Sequence, residues 1–295
     1  MSKGRGVLPA RKRGRGATGY LFSAHWVLGF LALTLYPLVF SLYMSAHSVS
    51  IGADGITTIP LGPRNYSYAL TLDVQFIMAL LDAIRFTGII TPLVIILSFI
   101  IALLLNQPIK TRALFRAIYF FPVIIISGSL MSLLENNGVF KIIDLDQSDV
   151  FRALNFAGLG IFMEVVRFLV SNIFTVLWFS GVQILIYLSG MQKISRSMYE
   201  AAWIDGASRW QSFWKITLPS TRQFTLINIV YTVITLATFT TNRVIEKIRV
   251  DMFGVLQFQG LGYASAMAWI YFIVIVLMLL LFLAVTGFGP KRKTA

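Results

Sequence analysis

Long stretches without a single charge restrict this chain most, because a helix needs ~20 consecutive apolar residues to cross the hydrocarbon core of a bilayer. Six can be placed, at roughly 21–45, 86–105, 117–134, 168–191, 223–242 and 263–287. Hydrophobic residues make up 57% of the chain and charged ones 13%, which suits a polytopic membrane protein and not a soluble domain. The expected fold is therefore all-α, a polytopic membrane protein of about six transmembrane helices. Pro37, Pro92 and Pro122 fall inside or at the edge of these spans, where neighbouring helices can re-satisfy the freed carbonyls, and kinks are expected there. The first run is far longer than the apolar region of a signal peptide, about 7–15 residues, and no small-residue cleavage site ends it. It is expected to stay in the membrane.

Orientation follows from the cations. Segments 1–16, 107–116 and 192–222 and the C-terminal tail hold 17 of the 25 Lys and Arg residues, while 10 of the 12 acids lie elsewhere. By the positive-inside rule both termini and segment 192–222 are expected in the cytoplasm. The organisation is then a basic cytoplasmic N-terminal tail (1–20), a transmembrane domain (21–288) enclosing a cytoplasmic loop at 192–222, and a basic cytoplasmic C-terminal tail (289–295). The net charge of +13 needs no nucleic acid. A run such as Arg11, Lys12, Arg13 and Arg15 could bind nucleic acid in a soluble protein, but beside a membrane span it anchors topology and meets anionic lipid. One segment departs from the rule, since Arg243, Lys247 and Arg249 fall on the expected outer side. There is no cysteine, hence no disulfide framework or thiolate metal site. The two histidines, His25 and His47, lie near the ends of the first apolar run and read as polar side chains close to the interface.

Between the fourth and fifth runs the chain reads EAAWIDGASRWQSFWKITLP at 200–219. Ser197 stands three residues before Glu200, and Ser208 three before Gln211, so each opens a possible capping box. Gly206 suits a left-handed position that ends the first helix, and Pro219 is expected to stop the second. A helix–turn–helix results. Its second helix puts Trp210, Phe213 and Trp214 on one face. A face of that kind either docks on a partner or rests at headgroup level as an interfacial helix.

The frame Glu200, Ala201, Ala202, Gly206, Ile216, Leu218 and Pro219, E-A-A-x3-G-x9-I-x-L-P, resembles the EAA loop by which ABC importer permeases grip their ATPase partner. Residues 19–45, LGPRNY at 61–66, IALLLNQPIKTRALFRAIYFFPVII at 101–125 and GYASAMAWI at 262–270 are similar to maltose-type sugar permeases. The chain departs from the family at Ser195 and Arg196, where Pro is frequent, at Ser220–Arg222, where a second Pro is common, and across 135–165. The resemblance implies a transmembrane subunit of a binding-protein-dependent sugar importer in a bacterial or archaeal cytoplasmic membrane. Its implied partners are a second permease, two ABC ATPase subunits, an extracytoplasmic solute-binding protein, a carbohydrate and membrane lipid, with no nucleic acid. The ATPase-coupling residues would be Glu200, Ala201, Ala202, Asp205, Gly206, Trp210, Phe213, Ile216, Leu218 and Pro219. No G-x-x-x-x-G-K-[ST] occurs, so ATP and Mg would sit on partner subunits and no cofactor on this chain. Nor does the sequence hold H-E-x-x-H or a nucleophile–base constellation, so the chain is not expected to be an enzyme. Transport would proceed by alternating access, biased by ligands with different affinities for the two states. An oligosaccharide or polysaccharide fragment is the first choice of substrate, ahead of a monosaccharide, a glycerol phosphate derivative or another polar solute.

Two polar stripes are candidates for the sugar path. In the fifth span Asn228, Tyr231, Thr235, Thr238 and Asn242 recur at helical spacing, and in the fourth Asn172, Thr175, Phe179, Gln183 and Tyr187 do. Amides and hydroxyls match sugar hydroxyls, and aromatic rings give apolar platforms. The same residues could equally be interhelical glue. In the last span Gly262 with Ala266, and Ala264 with Ala268, are small-xxx-small pairs suited to close helix packing. A secondary transporter would need acids or bases in the membrane, and the six charge-free cores contain none. A membrane scaffold or membrane enzyme is the remaining alternative, disfavoured by the loop frame and by the lack of a catalytic cluster respectively.

Overall fold

A computed structural model describes residues 15–52, 55–107, 114, 167, 170, 172–239, 242–254 and 260–287. The expected span at 117–134 with its Pro122, the segment 135–165, most of both tails and Arg11–Arg13 lie outside them. The chain divides into two units, Met1–Ala69 with Asp251–Trp269, and Leu70–Val250 with Ile270–Ala295.

The first unit opens with α1 (Arg15–Phe30), a π-turn (Leu31–Leu35) and α2 (Tyr36–Ser45). Helix thus begins inside the expected 1–20 tail. The π-turn has a cause: Pro37 lacks an N–H and its ring clashes with the carbonyl four residues back, and widening the turn lets the Tyr36 N–H donate to the Leu31 carbonyl instead. Two antiparallel strands follow, β1 (His47–Gly52) and β2 (Gly55–Pro60), with Val49 paired to Thr58 and Ile51 to Ile56. This hairpin corrects the all-α expectation. Its β-branched residues fit a pleated surface, and Gly55 supplies a φ of +107°. Helix α3 (Arg64–Thr71) sits under it: buried Asn65 donates to the Ser45 and His47 carbonyls at 2.9 and 3.1 Å. His47 is a structural residue, its Nδ1 2.7 Å from the Tyr43 carbonyl and its ring stacked on Tyr43. The last helix, α10 (Leu261–Gly287), starts in this unit, and Gly262 lies against the His47 carbonyl with no room for a Cβ. The close approach at Gly262 is thus to the end of α2 and the start of β1.

In the second unit, α4 (Val74–Leu105), α5 (Ile173–Gln192) and α8 (Leu218–Ala237) pack together. Between α5 and α8 come α6 (Arg196–Ile204), α7 (Arg209–Ser212) and a second π-turn (Phe213–Thr217), and α9 (Arg243–Met252) follows α8. One apolar cluster joins Ile90 and Val94 of α4 to Val176 and Phe179 of α5 and Leu236 of α8. A second joins Ile101 and Leu105 to Leu188 and Met191 and to Phe224. Read along the chain, α4 and α5 therefore run in the same direction and α8 returns against them. Three helical stretches, Ser23–Ser45, Val74–Leu105 and Leu261–Thr286, are long and apolar enough to cross a membrane.

Several span boundaries move. The span expected at 86–105 begins at Val74, because Asp73 caps α4 by accepting from the Phe76 N–H at 2.9 Å and Asp82 is paired with Arg243 at 2.7 Å. The helix runs through Pro92. The span expected at 168–191 is Ile173–Gln192, with Asn172 as its N-cap residue. The span expected at 223–242 is Leu218–Ala237, which leaves Thr238 as C-cap and Asn242 outside the helix.

Candidate coupling loop and polar seam

Helix α6 begins two residues earlier than a Ser197 cap would place it. Ser195 is its N-cap, in extended conformation, and its hydroxyl meets that of Ser197 at 2.7 Å. Glu200 therefore lies beyond reach of a capping box, and pairs along the helix with Arg196 at 3.2 Å. The helix ends as its glycine demands. Gly206 has φ +77°, its N–H donates to the Trp203 carbonyl at 3.0 Å, and the Ala207 N–H donates to the Ala202 carbonyl at 2.8 Å. These two bonds make a Schellman closure with Asp205 at the C-cap. The next helix opens on the expected capping box, Ser208 and Gln211 each accepting the other's N–H at 3.2 and 2.9 Å.

Pro219 does not end that helix. As at Pro37, a π-turn precedes the proline, and the Leu218 N–H donates to the Phe213 carbonyl. Helical backbone thus continues from Arg209 to Ala237. The Tyr199 and Thr217 hydroxyls, 2.8 Å apart, fasten α6 to this turn.

The loop presents apolar surface that nothing among the described residues covers. Trp210 is 68% exposed, Ile204 87% and Trp203 55%, with Met198 and Trp214 exposed beside them. Sequence periodicity picked out Trp210 and Trp214 but missed Met198, Trp203 and Ile204, although Trp203 and Ile204 stand in the frame itself. Trp210, Phe213 and Trp214 touch one another, with centroids 5.1–6.0 Å apart. Of the remaining frame residues, Glu200, Ala201, Asp205, Gly206 and Pro219 are exposed, and Ala202, Phe213, Ile216 and Leu218 half-buried.

The expected polar stripe of α8 splits. Asn228 is buried against α5, donating through Nδ2 to the Gln183 carbonyl at 3.3 Å. Gln183 Nε2 donates to Thr232 Oγ1 at 2.9 Å, and the Tyr187 hydroxyl to Thr225 Oγ1 at 3.0 Å. Together they form a polar seam between the helices. Among the described residues Gln183 Oε1 and Asn228 Oδ1 find no donor. Tyr231 and Thr238 are exposed and Thr235 half-buried. The reason is angular: at 100° per residue the stripe spans about 80° of the helix, and that arc straddles the edge of the buried face. Asn242 belongs to neither group. Its Oδ1 accepts from the Val244 N–H at 2.9 Å, at the start of α9, and its Nδ2 donates to the Tyr271 hydroxyl at 2.7 Å. Thr225 and Thr232 are seam residues that the stripe reading missed, though with Thr221 and Asn228 they recur at i, i+4, i+7 and i+11. The stripe on α5 loses Asn172 to the cap but keeps Phe179, Gln183 and Tyr187 buried.

Two of the three exceptional cations, Arg243 and Lys247, have ion-pair partners. Arg243 pairs with Asp82 and Lys247 with Asp73, at 2.7 and 3.3 Å. Among the described residues no group of His, Cys, Asp and Glu could hold a metal.

No family model matches the chain. It is similar to the probable ABC transporter permease YesP of Bacillus subtilis, 30% identical over 282 residues that cover 87% of this chain and 86% of that one. The arabinooligosaccharide transport permease AraP of Bacillus subtilis is 28% identical, covering 92% and 89%. In three dimensions the fold resembles a subunit of a bacterial ABC transporter involved in import of the acidic polysaccharide alginate, with TM-score 0.58, 20% identity and coverage of 94% and 96%. The alginate transporter in complex with an alginate pentasaccharide-bound periplasmic protein gives 0.55 over 90% and 91%.

Proposed function

The chain belongs to the sugar ABC transporter permeases, and we propose that it is the membrane-spanning subunit of a carbohydrate importer, coupled through the loop at 196–217 to separate ATP-hydrolysing subunits. The uncovered apolar surface of that loop carries the reading. Trp203, Ile204, Trp210 and Trp214 are held by a Schellman turn and a capping box, and rigidly presented apolar groups are what an interface anchor requires. Continuous helix from Arg209 to Ala237 would carry motion of the docked aromatics into α8 without a hinge at Pro219.

Six spans are part of this proposal. It is supported by the shared direction of α4 and α5, since two spans of like direction need an odd number of crossings between them. Positive charge around the loop supports a cytoplasmic position for it. The exposed side of α8, with Tyr231, Thr235 and Thr238, lines the sugar path, while Gln183, Tyr187 and Asn228 hold α5 and α8 together behind it. Ring and hydroxyls on one face suit a saccharide. The relative AraP is named for arabinooligosaccharides and the alginate transporter was solved with a pentasaccharide-bound periplasmic protein. An oligosaccharide delivered by an extracytoplasmic binding protein is accordingly the substrate proposed, with a second permease completing the path.

Copurification followed by uptake tests this. Tagged chain should bring down an ABC ATPase and a second permease, and vesicles holding the complex should take up the carbohydrate that the binding protein retains, only with ATP. Stable chain that recovers neither partner would sink the proposal.

A further inference from the structure

At the far end of α8 from the loop, polar contacts join three helices. The Tyr271 hydroxyl of α10 donates to the Ala237 carbonyl in the last turn of α8 at 2.9 Å, and Asn242 Nδ2 donates to the same hydroxyl. Asn242 also opens α9, which is tied to α4 twice, through Lys247 to Asp73 and through Arg243 to Asp82. The two ion pairs differ in kind. Asp73 and Lys247 are 8% and 19% exposed, against 54% and 75% for Asp82 and Arg243. Asp73 is also the cap of α4. Opening the inner pair would strand a charge away from water and disturb a helix start, whereas opening the outer one costs little.

The loop end is joined differently. There α4 meets α5 and α8 through apolar side chains, Ile101, Leu105, Leu188, Met191 and Phe224 among them, as it also does through Ile90, Val94 and Leu236 at the far end, and apolar contact is non-directional; the charge pairs to α9 are what the far end adds. Helices α8 and α10 are nevertheless tied at that end too, because Arg222 Nη2 donates to the Thr286 carbonyl at 3.2 Å. Thus α8 and α10 are fastened to each other at both ends, and α9, whose start Asn242 joins to Tyr271 of α10, is fastened to α4 by a partly buried charge pair at one end.

We propose that Lys247, acting through Asp73, and Asn242, acting through Tyr271, are positioning residues for transport: they form a fixed joint about which α8 and α10 swing as a pair against α4. The proposal rests on the importer reading, which supplies the motion.

Spin labels on exposed positions test it without touching the joint, and this chain has no native cysteine to interfere. In the reconstituted complex with its ATPase and second permease, cysteine pairs would be labelled at 74 with 250 across the joint, at 104 with 223 across the loop end, and at 223 with 281 between α8 and α10. Between nucleotide-free and ATP-bound states the 104–223 separation should change, while 74–250 and 223–281 stay fixed. Movement of 74–250 as large as that of 104–223, or no movement of 104–223 at all, overturns the joint. Lys247→Glu should lower uptake about tenfold or more, as stranding a buried charge predicts, and Asp73→Lys with Lys247→Asp should recover part of it. Arg243→Ala should leave uptake near wild type. Loss in Arg243→Ala equal to that in Lys247→Glu would also overturn the assignment. Unmodified complex that takes up no carbohydrate would instead count against the importer reading, whatever the label separations do.

Discussion

Phe213 of the loop meets Phe99 of α4 edge-on, with ring centroids 6.1 Å apart, and Phe99 meets Tyr187 of α5 in the same manner at 5.2 Å. The exposed Trp210 and Trp214 both touch Phe213. Packed rings thus run from the loop surface to the polar seam, where Tyr187 holds Thr225 of α8.

Phe99→Ala and Phe213→Ala should each destabilise the complex, and the double variant should lose less than the sum. An edge-to-face pair contributes about 0.5–1.5 kcal/mol beyond its buried area, and contacting residues are where additivity fails. Thermal unfolding of the purified complex measures the pair. Sugar carried per ATP hydrolysed should fall in both single variants. Strict additivity with unchanged stoichiometry would mean that the rings merely fill space.

Gly206 offers a sharper discrimination, because among the described residues no atom outside its chain neighbours lies within 4 Å of where a Cβ would stand. Only the backbone opposes substitution. Gly206→Val puts a β-branched residue at φ +77°, which L-residues avoid by about 1–2 kcal/mol and β-branched ones by more. It should insert normally but lose transport and ATPase recovery. Gly206→Asn should keep most of both, since asparagine tolerates the left-handed region. Equal activity of Val and Asn variants would remove the turn from the coupling account.

The turn was legible in the sequence because its determinants are local: a glycine, then Ser-x-x-Gln two residues on. The described helices over five of the six charge-free runs were legible for the same reason, each run being local, while the run at 117–134 lies outside the described residues. Both failures at the ends of α4 and α8 come from distance along the chain. Arg243 and Asp82 are 161 residues apart, so no local window sees that charges beside a span are neutralised and that helix can extend through them. The hairpin at 47–60 is hidden for a different reason: its two six-residue strands mix β-branched and polar residues over too short a length to form a charge-free run of span length. Pro219 looked like a stop because a proline alone does not announce the π-turn that accommodates it. The stripe on α8 failed more subtly: helical spacing gives an arc, and where burial begins on that arc depends on α5, which spacing does not reveal.

Glu200 has become a test of charge rather than of capping. Its ion pair with Arg196 joins exposed side chains on a helix surface, and such pairs contribute little. Glu200→Gln should therefore leave the fold intact. If the carboxylate itself meets the ATPase, Gln should reduce the amount of ATPase that copurifies and Lys should reduce it further. Wild-type recovery in both variants would confine Glu200 to its own helix.

Thiol accessibility separates the two halves of the α8 stripe. The chain has no cysteine, so single cysteines report cleanly. Positions 231, 235 and 238 should react with a small water-soluble thiol reagent, more slowly when substrate is bound, because Tyr231 and Thr238 are exposed and Thr235 half-buried. Position 228 should stay unlabelled, since Asn228 is fully buried in the seam. Function should divide in parallel. Tyr231→Ala should reduce uptake or change which saccharide is carried with assembly intact, for it removes a platform from the path. Asn228→Ala should instead lower the stability of the complex, by about 1 kcal/mol for a lost hydrogen bond and more for the cavity left in the seam. Labelling at 228 in every nucleotide state, with 231 and 235 protected, would reverse the assignment and move the sugar path to the seam between α5 and α8, where the amide oxygens of Gln183 and Asn228 would then face the substrate.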